Sequence, residues 1–330
     1  MKNIPLYLHS DLKSIPEFLN FSQFEKDASL SLRQKGYIII RDLVDHKLID
    51  SVIEDCKGRY KSDGNYDNEN NRILDAFTFS NNVKKVATNK RVTDLLTSLY
   101  GSQSFPFQTL NFEYGTEQKL HSDMIHFSSF PKYFMAGCWV AFEDVTLENG
   151  PLQYVEDSHY LPDITPQEIE KYKVNKKDPY KSYSLFYEPY IEKLISNLKL
   201  KKSYAVIKKG DAFIWSANLI HGGSVIKNKE KTRLSQVTHY YFKNCVYYTP
   251  LLSDTYNSQY FIRYPWNISS MRRLQEAEVF ENAEKLNLKL RIFSWSKFLL
   301  SKPLIVRKFL VLINLLIRGG LRSYLEKKIN

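Results

Sequence analysis

Between residues 107 and 242 the chain consists largely of short β-favouring segments separated by turn signals, and this pattern constrains the fold more than any other feature. The segments are Phe107–Tyr114, Met135–Phe142, Leu152–Val155, Ser203–Lys208, Ala212–Trp215 and Arg233–Phe242. Asn149-Gly150-Pro151 and Lys209-Gly210-Asp211 are turn sequences between them. Many short strands joined by turns indicate an antiparallel sandwich or jelly roll.

Helical patterns flank the strand-rich region. On its N-terminal side, Gly36–Arg41 predicts a short strand, Asp45 predicts a helix cap, and Val92–Tyr100 predicts a helix that ends at Gly101. We therefore predict a mainly β domain with N-terminal helices over residues 1–250. A basic helical extension is predicted over residues 251–330.

The C-terminal extension carries most of the net charge. Residues 281–330 hold eleven Lys and Arg against three acids, which is +8 of the formal +11. Helices are predicted over Met271–Arg291 and Leu304–Tyr324, and the apolar run 309–317 is too short to span a bilayer. Two interpretations remain: the extension packs on the core, or residues 292–330 make peripheral contact with a membrane surface.

The three cysteines indicate a reducing compartment. Cys56, Cys138 and Cys245 are far apart and odd in number, so neither a disulfide framework nor a CxxC metal pair can be drawn from them. The N-terminal residues lack a sustained apolar stretch typical of a secretory signal. We expect a cytoplasmic protein, with membrane association as the alternative.

Two histidines and one carboxylate form a candidate metal site. In an extended segment His121 and Asp123 point to the same face, because side chains alternate with a period of two. His221 is the best candidate for the second imidazole. Such a set leaves three positions of an octahedral Fe(II) for a bidentate co-substrate and O2. On ligand types alone, the other histidines considered are His126, His159 and His239.

An arginine downstream of His221 suggests the co-substrate. Arg233 lies twelve residues after His221, and with a hairpin between them it is expected on the adjacent strand. Arg233 and Ser235 share a face, and a guanidinium with a hydroxyl suits the distal carboxylate of 2-oxoglutarate. The alternative is a surface arginine that a local acid neutralises.

Several ordered motifs together resemble the phytanoyl-CoA dioxygenase family of Fe(II)- and 2-oxoglutarate-dependent oxygenases. The resemblance runs from about Lys35 to Phe242. Its motifs are Gln34–Val44, His121-Ser-Asp123, Cys138–Asp144, Glu148–Leu152, Asp157-Ser-His159, Gly210–Trp215, His221–Ser224 and Arg233. The resemblance implies a double-stranded β-helix, or jelly roll, as the core of the mainly β fold.

The resemblance also implies roles for individual residues. His121, Asp123 and His221 would bind Fe(II), and Arg233 would bind the far carboxylate of 2-oxoglutarate. Trp139 would line the co-substrate pocket. The intact carboxylate at position 123 favours hydroxylation, because related halogenases have a small residue there.

One departure from the family pattern concerns the co-substrate contacts. His221-Gly222-Gly223-Ser224 is one residue longer than the usual His-Gly-Ser. Ser224 and Ser235 therefore both remain candidates for the hydroxyl contact. His159 is interpreted as a structural histidine.

The predicted activity is hydroxylation of an unactivated carbon, with Fe(II), 2-oxoglutarate and O2, releasing succinate and CO2. The substrate is a small molecule or a lipid-linked or glycan-linked compound. The alternatives are a metal-free jelly-roll binding module and a membrane-surface oxygenase acting on a lipid-linked substrate. Nucleic acid is disfavoured, because His239 stands where the DNA-repair demethylases carry a second arginine.

Overall fold

The computed structural model describes residues 4–60, 72–166, 169, 179–255, 257–286 and 291–292. These residues form mostly antiparallel strands with helices around them, as the sequence predicts. The predicted helix Leu304–Tyr324 and, apart from Ile292, the segment 292–330 lie outside the described residues. Within the described ranges, no helix combines the length and the apolar character needed to cross a bilayer.

Eight α-helices occur in the described part of the chain. They are α1 (Pro16–Leu19), α2 (Gln23–Lys35), α3 (His46–Cys56), α4 (Asn81–Ala87), α5 (Lys90–Tyr100), α6 (Pro179–Ser182), α7 (Glu188–Asn197) and α8 (Glu276–Lys285). Two predicted ends are confirmed: Asp45 accepts a hydrogen bond from Lys47 N at 2.9 Å, and Gly101 ends α5 with a φ of 66°. Both follow from capping chemistry, which is local in sequence.

The predicted helix over Met271–Arg291 is wrong in its extent. Arg272–Arg273 pairs with Trp266–Asn267 as a short antiparallel ribbon, so the start of that segment is extended. Gln275 and Glu278 then form a capping box at the start of α8. The capping box sets the first residue of α8. The apolar spacing from which the helix was predicted also continues before that residue.

Fifteen short strands occur in the described residues. They are β1 (Tyr37–Ile40), β2 (Arg72–Leu74), β3 (Ser104–Phe112), β4 (Ser128–Phe130), β5 (Met135–Ala141), β6 (Leu152–Val155), β7 (Lys202–Tyr204), β8 (Ala212–Ser216), β9 (His221–Gly223), β10 (Ser235–Phe242), β11 (Val246–Tyr248), β12 (Gln259–Tyr260), β13 (Trp266–Asn267), β14 (Arg272–Arg273) and β15 (Arg291–Ile292). The main sheet has the order β1-β8-β5-β10-β3-β2, and all its pairs are antiparallel. A smaller antiparallel sheet has the order β7-β6-β9.

The central strands of the main sheet are buried on both faces. In β5, Cys138 and Val140 pack in one apolar cluster with residues of α2 to α5, whereas Trp139 packs in another. Leu152 and Tyr154 of the small sheet belong to the same cluster as Trp139. The main sheet therefore has helices on one face and the small sheet on the other.

The carboxylate of Asp211 joins the ends of β1 and β8. It is buried, it accepts hydrogen bonds from the backbone N–H groups of Asp42 and Lys208, each at 3.0 Å, and it pairs with the Arg41 guanidinium at 2.5 Å. Burial alone would raise the pKa of Asp211, but these donors lower it below its usual value. The adjacent Gly210 has a φ of +89°, and a Cβ there would lie 2.9 Å from the Val44 carbonyl oxygen.

We expect Asp211→Asn to lower the free energy of unfolding by about 1–3 kcal/mol, because a buried charged acceptor is lost. The pKa is depressed in the folded state, so this stabilisation is present above the unfolded pKa of about 4 and disappears as the pH falls through the lower folded value. Urea unfolding at several pH values measures both effects. The control is Asp50→Asn, which removes an exposed ion pair with Lys209 and should cost less than about 1 kcal/mol. Equal losses in the two variants would contradict the interpretation.

Candidate metal centre

A pair of reciprocal backbone hydrogen bonds holds His121 opposite His221. The His121 N–H donates to the His221 carbonyl and the His221 N–H donates to the His121 carbonyl, each at 2.9 Å. This is an isolated antiparallel bridge at the edge of the small sheet, where β9 also pairs with β6. Directly opposite side chains lie on the same face, and the two ring centroids are 4.8 Å apart.

Asp123 reaches the same point from a short 3-10 turn, Asp123–Ile125. The sequence predicts that His121 and Asp123 lie on one extended strand, but of the two only His121 pairs with a strand among the described residues. Ser122 produces the turn, because its hydroxyl donates to the Ala217 carbonyl at 3.0 Å and accepts from the Met124 N–H at 3.3 Å. The two side chains still converge, as predicted.

The three side chains form a buried cluster of potential metal ligands. One ligand atom from each of His121, Asp123 and His221 lies within 4.8 Å of the other two. The Nε2 atoms of His121 and His221 are 3.8 and 3.9 Å from carboxylate oxygens of Asp123. Each residue is at most 5% exposed. These separations suit a single ion, since protein ligands lie about 2 Å from such a metal.

Backbone contacts fix the tautomer of both imidazoles. The Nδ1 atoms of His121 and His221 lie 2.9 Å from the Lys119 carbonyl oxygen and 3.0 Å from the Leu219 carbonyl oxygen. Because a carbonyl only accepts, Nδ1 carries the proton and Nε2 presents a lone pair toward Asp123.

Burial keeps these two imidazoles neutral. It lowers the pKa of His121 to about 4, with His221 adding to the effect and Asp123 opposing it. It also lowers the pKa of His221 to about 4, although the bond to the Leu219 carbonyl opposes this. Near pH 7 both rings are therefore neutral, with the proton on Nδ1 and Nε2 free, which is the form that binds a metal.

Trp215 orients the carboxylate, and sequence reasoning assigned it no role. Its indole N–H donates to Asp123 Oδ2 at 2.8 Å, and its ring lies 4.7 Å from that of His221. A Cβ at Gly137 on β5 would lie 2.2 Å from the Trp215 ring, so the indole occupies the space that this glycine leaves. The sequence does contain one signal for this position. Side chains alternate along a strand, so Trp215 and Phe213 lie on the same face of β8.

His239 lies closer to the cluster than the two other histidines considered, His126 and His159. His239 Nε2 is 3.8 Å from Asp123 Oδ2, while its Nδ1 is 3.0 Å from Gln108 Oε1. His126 lies on the same side, with its ring 6.0 Å from that of His121. His159 is elsewhere, with Nε2 3.2 Å from the Arg33 carbonyl oxygen.

The cluster opens into a cavity of about 1040 Å³ between the two sheets. His121, Asp123, His221, Trp139 and Arg233 all line it. Its wall also includes Tyr180 of α6, Glu188 of α7 and Tyr183 of the π-helical segment Tyr183–Tyr187 that joins these helices.

Arg233 lies on the opposite sheet from His221, which corrects the sequence prediction. We expected it on the strand adjacent to His221, but His221 begins β9 of the small sheet, whereas Arg233 precedes β10 of the main sheet. The connecting residues 224–232 pass from one sheet to the other instead of forming a hairpin. The guanidinium therefore faces the metal cluster across the cavity.

Arg233 is a buried cation with no carboxylate within 4.0 Å among the described residues. It is 4% exposed, and its Nη1 and Nη2 donate to the carbonyls of Gly150 and Tyr114 at 3.3 and 3.5 Å. Its Nε and the indole nitrogen of Trp139 are both buried without a partner in the part of the chain described. Burial lowers the pKa of Arg233 to about 10, with Glu143 opposing, so the charge persists at pH 7.

Ser224 and Ser235 are both buried, but neither lines the cavity. The Ser224 hydroxyl donates to the Pro151 carbonyl at 2.8 Å, and the Ser235 hydroxyl donates to the Arg233 carbonyl at 3.2 Å. Both positions between His221 and Ser224 require glycine for a steric reason. A Cβ at Gly222 or Gly223 would lie 2.5 or 2.8 Å from the backbone of residues 117–118.

Several solved structures share this fold. The non-heme alpha ketoglutarate dependent carbocyclase SnoK from nogalamycin biosynthesis matches with a TM-score of 0.52 and 13% identity, over 70% of this chain and 88% of its own. The epimerase SnoN from the same biosynthesis gives 0.51 and 18%, over 68% and 83%. EctD from S. alaskensis, solved with 2-oxoglutarate and 5-hydroxyectoine, gives 0.50 and 17%, over 72% and 82%.

A comparison with curated protein sequences found no significant match. The family model described as Phytanoyl-CoA dioxygenase (PhyH) matches residues 32–234, which is more than half of the chain. The matched range includes the buried His-Asp-His cluster and Arg233. The chain thus belongs to the phytanoyl-CoA dioxygenase family and is a non-haem iron oxygenase that depends on 2-oxoglutarate and O2.

Proposed function

We propose that His121, Asp123 and His221 bind the Fe(II) of this oxygenase. The observation that carries the proposal is the convergence of three buried ligand atoms, two of them Nε2 lone pairs with fixed tautomers. Two histidines and one carboxylate form the facial set that non-haem Fe(II) oxygenases use. Trp215 positions the carboxylate by its 2.8 Å hydrogen bond.

Arg233 and Trp139 are proposed to bind the far carboxylate of 2-oxoglutarate. Arg233 Nε and the Trp139 indole N–H are buried donors without partners among the described residues, and both line the cavity. The guanidinium lies 5.3 Å from the Trp139 ring. An anionic ligand at this point would satisfy both donors and compensate the buried charge. The contribution of Ser224 or Ser235 stays a prediction.

The proposed core is a double-stranded β-helix. Two facing antiparallel sheets with the ligands between them support it, as do the similar oxygenase structures. In this arrangement the small sheet carries two iron ligands and the main sheet carries Arg233. The domain boundary near residue 250 and the role of residues 292–330 remain predictions.

Hydroxylation of an unactivated carbon is the proposed reaction. Bound iron with 2-oxoglutarate supplies O2 activation, with release of succinate and CO2. Asp123 retains the carboxylate that halogenases lack. Phe112, Trp139 and Phe127 give the cavity apolar walls, which exclude water from the reacting carbon. Other reactions occur on this fold, since SnoN is described as an epimerase and SnoK as a carbocyclase.

A small molecule is the proposed substrate. A cavity of about 1040 Å³ holds a compound of this class together with the co-substrate. Two proteins that share the fold are associated with small molecules. EctD was solved with 5-hydroxyectoine, and SnoN comes from nogalamycin biosynthesis. Membership of the family favours this oxygenase over a metal-free binding module. The lipid-linked alternative depends on residues outside those described.

The ligand assignment predicts which histidines hold iron. Under nitrogen, wild-type protein with Fe(II) and 2-oxoglutarate should show the weak visible charge-transfer band of the chelate. His121→Ala and His221→Ala should lose both the band and the bound iron, because each removes one of three ligands. His126→Gln and His239→Gln are matched controls from the same cavity and should retain bound iron. Loss of iron in His239→Gln with retention in His121→Ala would show that the assignment is wrong.

Trp215→Phe should weaken Fe(II) binding about 10- to 100-fold, because a hydrogen bond that orients a metal ligand is lost. The ring is kept, so packing against Gly137 is largely preserved. Competition with a chromophoric chelator in the absence of 2-oxoglutarate measures the effect. The control is Trp139→Phe, whose indole N–H has no partner in the described part of the chain and which should leave iron affinity unchanged. Equal affinities in wild type and Trp215→Phe would argue against an orienting role.

Arg233→Gln should raise the dissociation constant of 2-oxoglutarate by at least about 30-fold, because a desolvated charge pair with the co-substrate is lost. Titration of the charge-transfer band measures this constant, while iron content should stay constant. Arg263→Gln removes another cavity arginine and serves as the control, with unchanged 2-oxoglutarate affinity. If only the Arg263 variant loses co-substrate affinity, the role belongs to that residue instead.

A further inference from the structure

A second arginine lies in the cavity at the other end of β10. Arg263 is half-buried and is held by its backbone, whose N–H donates to the Tyr247 carbonyl of β11 at 2.8 Å. Its Nη1 donates to the Thr249 hydroxyl at 3.0 Å, and its guanidinium carbon lies 4.8 Å from the centre of the Phe127 ring. Arg263, Thr249 and Phe127 all line the cavity. These contacts hold the side chain in one place within the cavity wall.

Arg263 has hydrogen-bonding capacity that the described residues do not use. Its Nε is buried and has no hydrogen-bond partner among the described residues. No carboxylate lies within 4.0 Å of it in the described ranges. Asp75 senses its charge through space, and the Asp75 carboxylate accepts from the Thr109 N–H at 3.2 Å. A buried guanidinium nitrogen without an acceptor is costly, and an oxyanion would supply one.

The carboxylates that line the cavity have other roles or positions. Asp123 belongs to the metal cluster. Glu117 accepts from the Ile226 N–H at 2.9 Å. Glu188 is on α7, where burial raises its pKa and the charge of Lys119 opposes that effect. None of the three is within 4.0 Å of Arg263, so none forms an ion pair with it.

Arg233 and Arg263 approach β10 at different positions along the strand. Arg233 and His239 are six positions apart, which is about 20 Å in an extended strand. The centres of the His239 and Phe127 rings are 5.0 Å apart, and the Arg263 guanidinium carbon lies 4.8 Å from the centre of the Phe127 ring. His239 is also the residue 3.8 Å from Asp123. A chain of contacts through Phe127 and His239 therefore links Arg263 to the metal cluster.

We propose that Arg263, assisted by Thr249, binds an oxyanion of the primary substrate, so that the substrate is a small carboxylate, phosphate or sulfate. This rests on the proposed function, in which 2-oxoglutarate occupies Arg233. With its anion at Arg263, the substrate extends along Phe127 toward the iron ligands. Arg263 is then a specificity-determining residue that sets which carbon faces the metal.

The experiment is calorimetric titration under nitrogen of protein loaded with Fe(II) and saturating 2-oxoglutarate. Inorganic phosphate, sulfate and acetate are the probes, titrated separately. Wild-type protein should bind at least one of them at a single site, and Arg263→Gln should weaken this binding about 10- to 100-fold, as expected for a charge-assisted hydrogen bond. Arg263→Lys should retain part of the affinity. The anion that binds most tightly identifies the substrate class.

Arg272→Gln is the control, because Arg272 is exposed, pairs with Glu278 at 2.8 Å and does not line the cavity. It should leave anion affinity unchanged. Absence of binding in wild type, or equal affinity in wild type and Arg263→Gln, would overturn the proposal. The charge-transfer band is recorded first in each sample. Its absence in wild type contradicts the proposed function, whereas a normal band with unchanged anion affinity contradicts the Arg263 site alone.

Discussion

The reciprocal hydrogen bonds between His121 and His221 are the constraint on which the site depends. Two residues one hundred positions apart are held opposite each other at 2.9 Å by their own backbone groups, so the ring positions do not depend on flexible side-chain contacts. Each ring is then oriented by a carbonyl two residues earlier in the chain. A metal site needs such fixed ligands, because a small misplacement weakens every metal–ligand bond at once. The small sheet is therefore as much a support for the proposed ligands as a layer of the fold.

The main sheet contributes the complementary part of the site. Its face toward the cavity carries Trp215, which orients Asp123, and Trp139, which lies beside Arg233. Both indoles belong to strands buried on both sides, where helices α2 to α5 pack on the far face. This separation of roles explains why the connection from His221 to Arg233 must cross between sheets. A hairpin would place the cation beside the ligands on one sheet, whereas the crossing puts it opposite them.

Local signals in the sequence predicted local structure well. Leu152–Val155 is a strand with the predicted bounds, and the caps at Asp45 and Gly101 are where capping chemistry placed them. The metal cluster was also predicted, because ligand types and motif order carry that information. The sheet that holds Arg233 was not, since a nine-residue connection has no local feature that separates a hairpin from a crossing. Trp215 was missed for a similar reason: its partner Asp123 is 92 positions away and approaches through space.

The hydrogen-bond donors in the cavity that the described residues leave unused have a cost in stability and a proposed role in binding. Burying Arg233 with no carboxylate nearby in the described ranges costs free energy in the folded protein, and Arg263 adds a buried nitrogen for which those ranges offer no acceptor. A core selected only for stability would fill these positions with apolar side chains, which often stabilise a protein more than a buried charge does. These buried donors instead favour the binding of anions, because an anion would supply both the missing acceptor and the opposite charge. If 2-oxoglutarate occupies Arg233 as proposed, the charge of Arg263 remains available, and the proposed site there would select a substrate by its own anion.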